Sequence, residues 1–157
     1  MSHAPTAHLD VDELCELRPT AQILERLALQ DGADLDAAAI DRLRTANRRL
    51  GQAAGDPDEA VIADHRVRSL LTERCPDRRL LTLLAEVRVA LLPYRRAGLA
   101  PAARVLARCA EHHGIIDAVE RGEHRRAGRL LAESTARELG GLAEALAAGR
   151  PPAFAPS

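Results

Sequence analysis

The chain has 157 residues, 46% apolar and 29% charged, with a net charge of −1, which is one domain's length and enough apolar content for a single packed core. Phe154 and Tyr94 are the only aromatics, so that core is built from Leu, Ala, Val and Ile, and stacking platforms for nucleic acid are excluded. Cys15, Cys75 and Cys109 are odd in number and far apart, and no run of residues approaches a membrane span. A disulfide scaffold and a membrane protein are therefore excluded, and a cytoplasmic protein with reduced, core-buried cysteines is expected.

In chain order, residues 1–9 carry neither a basic region nor an apolar run and are expected to be flexible. Breakers set against apolar periodicity predict six helices, over 10–30, 34–53, 57–74, 77–97, 100–121 and 123–147. The linking stretches QDGAD, AAGDPDE, RCPDR and ERGEH carry Gly, Pro and Asp punctuation, and Pro93 is expected to kink the fourth helix or end it early. Connections this short make neighbouring helices antiparallel, so residues 10–147 are expected to form an all-α antiparallel bundle of about six helices. The Pro-rich tail, 148–157, is expected to be disordered.

Charge is unevenly spread. Residues 1–65 hold 13 acids and 6 arginines, 66–108 hold 3 acids and 10 arginines, and 109–157 hold 7 acids and 6 arginines. With no lysine and no compact basic run, the middle third is expected to face water, pair with the acidic first third or line an anion pocket, rather than meet nucleic acid.

Counting apolar stripes helix by helix turns up polar residues where the core should be. On the third helix Val61, Asp64, Arg68 and Leu71 are spaced three, four, three, and on the fourth Leu81, Leu84, Arg88 and Leu91 do the same. On the fifth, Val105, Cys109, His112, Ile116 and Val119 put an imidazole inside the stripe. On the sixth, Ser134 follows Leu130 and Leu131 by four and three. An unpaired buried charge costs about 3–5 kcal/mol, so one shared cluster is the economical arrangement, although a hydrogen-bonded core histidine and an ordinary helix-surface ion pair fit the same spacings. Cys109 and His112 are placed to begin a zinc site, but two further ligands are missing. No nucleophile with a base, no Gly-rich phosphate loop and no HExxH helix occurs, so the chain is not expected to be an enzyme.

Three stretches together carry a resemblance: ELCELRPTAQILERLAL, GDPDEAVIADHRVRSLLTERCPDRRLL and, most specific, EHHGIIDAVERGEHRRAGRLL. They resemble the FCD domain, the effector-binding and dimerisation domain of FadR-type regulators in the GntR transcription-factor family, over roughly residues 10–147. The resemblance implies an effector-sensing, dimerising domain. Many members hold a divalent metal with an Asp, a His four residues on, the His of a Glu-His pair and a His on the last helix. Asp64 and His112 match that pattern, while Arg68 and Ser134 stand where two histidines are expected. Arginine does not give up its proton to bind a metal, and His65, His113 and His124 lie about 100° or more around their helices from the required faces. A metal-free, cofactor-free site is therefore expected, in which Arg68, Arg88, His112, Ser134 and Asp64 receive a small organic acid. A homodimer is expected, with association to an intact DNA-binding regulator as a further partner. The family's winged helix-turn-helix does not fit in the few residues before the first helix, so no direct DNA contact by this chain is expected. The alternative is a structural helical interaction protein that dimerises and binds nothing small.

Overall fold

A computed structural model describes residues 8–150. It is all-α: α1 spans Val11–Gln30, α2 Ala37–Gln52, α3 Pro57–Thr72, α4 Arg78–Gly98, α5 Ala102–Glu120 and α6 His124–Ala147. The expected disorder of the Pro-rich tail falls largely on residues 151–157, outside the described residues. No helix among the described residues is long and apolar enough to cross a membrane.

Aspartates start four of the six helices. Asp10, Asp36, Asp56 and Asp77 each accept hydrogen bonds from backbone N–H groups of the first turn, satisfying donors that have no partner within the helix. Asp36 places the start of α2 at Ala37, three residues later than periodicity predicts. Gly55 and Gly122, with φ of 96° and 74°, lie in the turns that reverse the chain before α3 and α6, where a side chain would be strained. Pro93 does not end α4, which continues to Gly98. The residues after it are well anchored: Tyr94, Arg95 and Ala97 are all buried. The Tyr94 hydroxyl accepts from the Asp10 N–H at 3.1 Å and lies 3.0 Å from the Asp10 carbonyl.

The helices close into a ring. α1 packs on α6, α6 on α5, α5 on α2, α2 on α3, α3 on α4, and α4 back on α1. The seam between α1 and α6 is the most extensive, and a glycine makes it possible: a Cβ on Gly128 would stand 2.8 Å from the Arg26 carbonyl oxygen. Among the described residues four apolar clusters fill the ring, two of them larger than the others. Of these two, one gathers Leu29, Leu43, Val67, Leu71, Ile116 and Leu131; the other gathers Leu14, Ala21, Leu91, Tyr94, Leu139 and Leu142. Of the cysteines only Cys75 is fully buried, Cys109 is half-buried and Cys15 is exposed. The expectation of three core cysteines is thus corrected at Cys15, which lies on the outer face of α1.

Candidate functional site

Between the two largest apolar clusters lies a charged centre, to which five of the six helices contribute. On α1 Glu25 falls between Ala21 and Leu29; on α6 Ser134, Thr135 and Glu138 fall between Leu131 and Leu139. α3 brings Asp64 and Arg68, α4 brings Arg88 and Arg95, and α5 brings Arg108 and His112. All of these side chains are buried. α2 is the one helix that adds no charged group to the interior, its only buried polar residue being Asn47.

Arg68 is the hub. Its Nε donates to Asp64 Oδ2 at 3.0 Å. Nη1 donates to both Glu25 oxygens at 3.0 and 3.2 Å and to Thr135 Oγ1 at 2.9 Å, and Nη2 to Glu138 Oε2 at 3.4 Å. One planar fork thus joins three carboxylates from three helices, a geometry that a lysine cannot reproduce. Thr135 in turn donates to Glu25 Oε2 at 2.5 Å. Burial alone would raise the Glu25 carboxyl, but Arg68, Arg95 and Arg88 outweigh it and hold the group at about 2. Asp64 is likewise held well below the usual range: burial is opposed by Arg68 and Arg108.

Three more arginines surround this hub. Arg88 donates to Thr72 Oγ1 and to the Arg68 carbonyl, both at 3.1 Å, and its Nε lies 3.6 Å from Glu25 Oε1 without a hydrogen bond. Arg95 lies 3.4 Å from Glu25 and 3.6 Å from Glu138. Arg108 donates to Glu138 Oε2 at 2.8 Å and stands 3.8 Å from Asp64 Oδ1. Four buried guanidinium groups therefore face three buried carboxylates. Arg88 is the least compensated of the four. Burial, against the attraction of Glu25 and with repulsion from Arg95 and Arg68, pushes it down to about 10.

His112 is fully buried, with Nε2 at 3.5 Å from Asp64 Oδ1. Burial is the main cause that pushes it down to about 3; Asp64 opposes, while Arg68 and Arg108 reinforce. The imidazole is thus neutral near pH 7. Both its nitrogens and Asp64 Oδ1 lack hydrogen-bond partners, and these are the two side chains that the resemblance matches to the metal pattern. The rest of that pattern does not fit a cation. The Arg68 guanidinium is bonded to Asp64, a second guanidinium stands near its free oxygen, and no group of three or more His, Cys, Asp or Glu among the described residues suits a metal ion. Of the alternative histidines, His65 is half-buried, His113 is exposed, and His124 pairs with Asp34 at 2.6 Å.

Four of the five residues singled out in the sequence, Asp64, Arg68, Arg88 and His112, thus meet in this centre. Ser134 is buried beside it, but its hydroxyl donates to Glu111 and not to Arg68. Sequence reasoning missed Glu25, Arg95, Arg108, Thr135 and Glu138. The stripe signal was present for two of them: Ala21, Glu25 and Leu29 step by fours, and Arg95 follows Leu91 by four on the face that holds Arg88. For α5 the count ran through Cys109, whereas the buried face runs Val105, Arg108, His112. An open groove of about 680 Å3 lies between α2 and α3, lined by Ala46, Ile62 and Leu70 among others. None of the converging residues lines it, so volume alone is a poor guide to the site here.

The model of the FCD domain matches residues 13–137. No curated protein and no solved structure matches the chain.

Proposed function

The chain belongs to the FCD domain family, the effector-binding domains of GntR-type regulators, and from that membership we propose that it senses a small organic anion through its arginine-rich interior rather than through a bound metal. The observation that carries this reading is Arg88, a buried guanidinium that hydrogen-bonds to a hydroxyl and a carbonyl but to no carboxylate, and the least compensated of the four. An enclosed excess of positive charge is costly unless an anion or water answers it. In this reading Arg68 and Arg88 supply the positive field, Asp64 orients Arg68, and His112 and Ser134 supply hydrogen bonds.

Calorimetric titration with a panel of organic acids tests it. A ligand at 100 times its dissociation constant is expected to stabilise the fold by about 2.7 kcal/mol, and Arg88→Ala is expected to weaken or abolish binding while leaving a folded protein. If no acid binds the wild-type chain, the alternative of a purely structural interaction module takes over. One observation favours that alternative: every nitrogen of the Arg68 fork already has an internal partner.

The reading also implies a metal-free protein. Elemental analysis after purification without chelator is expected to find no stoichiometric transition metal, and one zinc, nickel or manganese per chain would overturn it. Pairing as a homodimer belongs to the same proposal. Its support is the outer face of α4, where Leu83 and Val89 are 53% and 63% exposed, with Ile23 exposed on the adjoining α1. Exposed apolar side chains of this size favour association when a partner covers them.

A further inference from the structure

A small cavity of about 110 Å3 lies beside the charged centre, where α5 meets α6 and the end of α4; Gly98, Arg104, Arg108, Glu111, Arg137 and Glu138 are in its lining. Resting on the anion-sensing reading, we infer that this cavity is the docking site for the carboxylate end of a small organic acid, and that Glu111, in its lining, engages the site's donors as an internal stand-in which the ligand displaces.

The donors around Glu111 are those a ligand carboxylate would need. Oε2 lies 3.5 Å from Arg108 Nε and accepts from the Ser134 hydroxyl, and Oε1 accepts from Arg137 Nε at 3.4 Å. Two guanidinium groups from neighbouring helices and one hydroxyl thus surround a single carboxylate, which is the way proteins read such groups. Glu111 is a replaceable occupant because its side chain is 26% exposed and rotates outward without disturbing the backbone of α5. It would leave behind groups that cannot follow it. Arg108 is 7% exposed and its Nε has no hydrogen bond, and Ser134 is fully buried.

Size and charge narrow the ligand. With about 30 Å3 as the share of one water in the liquid, the cavity takes a carboxylate and its α-carbon, so the remainder of an acid would extend past exposed Arg104 at the rim. Glu138 also lines the space, with Oε1 unpartnered. It disfavours a dianion and suits a ligand that donates a proton, such as a hydroxy acid. Occupancy is communicated inward, because Arg108 donates to Glu138 and Glu138 accepts from Arg68.

The test titrates acetate, with inorganic phosphate as the second probe, into wild type, Glu111→Gln, Arg137→Gln and Arg88→Ala, following backbone amide shifts so that millimolar affinities are readable. Acetate is expected to bind the wild type, to bind Glu111→Gln about tenfold more tightly because a competing charge is gone, and to bind Arg137→Gln more weakly, with Arg88→Ala, which alters the field of the centre but no atom of the cavity lining, weakening it less than Arg137→Gln does. Arg137 is exposed, so loss of fold does not confuse its result. Acetate affinity indifferent to both Glu111 and Arg137 overturns the inference. If Arg88→Ala then abolishes binding, the anion-sensing reading survives with its ligand at the centre. Phosphate binding in place of acetate overturns the carboxylate assignment, and absence of binding by both probes in Glu111→Gln overturns the cavity as a site, while the wider acid panel still judges the reading on which it rests.

Discussion

Replacing Arg68 with methionine is expected to destabilise the protein by at least about 3–5 kcal/mol, a large share of the 5–15 kcal/mol typical of a domain. Methionine fills much the same volume, so the loss would come from charge: Glu25, Asp64 and Glu138, all buried, lose the fork that holds them together. Arg88→Met is expected to cost clearly less, because Arg88 is bonded to a hydroxyl and a carbonyl and burial already disfavours its charge. Urea unfolding of both variants makes the comparison. A control separates charge from shape: adding Glu25→Gln and Asp64→Asn to Arg68→Met is expected to recover part of the loss. Equal effects of the two arginine replacements, or no recovery, would show that the centre is not organised around Arg68.

The second large effect is acid lability. His112 is held at about 3 in the fold against an ordinary 6.5, so between those values the unfolded chain binds a proton that the folded one refuses, and stability falls as pH drops below about 6.5. Glu25 is held at about 2 against an ordinary 4.5. Its contribution is full above 4.5 and is lost as pH falls towards 2, with Asp64 acting in the same direction. The profile is therefore expected to decline gently from pH 6.5 and steeply below 4.5, each full proton of difference giving about 1.4 kcal/mol per pH unit. Urea midpoints measured from pH 7 to pH 3 check it. His112→Gln is expected to flatten the upper part of the decline and leave the lower part in place, and a wild-type profile flat from pH 7 to pH 4 would contradict the burial of both groups.

The architecture was legible in the sequence because short punctuated loops and long 3.6-residue periods constrain each other; only helix ends moved, as where Asp36 delays α2 by acting as its cap. The centre was legible in part. Asp64, Arg68, Arg88 and His112 interrupt stripes that are otherwise Leu, Val and Ile, so their polarity stands out. Glu138 and Thr135 do not stand out, because α6 is rich in Ala, Gly and polar residues, and a polar residue there breaks no pattern. Arg108 was missed for a different reason: Cys109 next to it is apolar enough to draw the count one position, about 100°, around the helix. No periodicity reveals that Arg68 would meet Glu25. That pairing depends on α1 closing the ring against α3, α4 and α6, which is a tertiary event.

The closure of that ring also bears on how long the molecule stays folded. Arg68 reaches Glu25 across 43 positions of chain and Glu138 across 70, while Thr135 reaches Glu25 across 110. Contacts so distant in sequence form only after both ends of the chain have been brought together, late on the folding route. Interactions absent from the transition state leave the rate of folding nearly unchanged and slow the rate of unfolding. The buried arginine centre is thus expected to act as a latch, so that Arg68→Met speeds unfolding more than it slows folding in urea-jump kinetics.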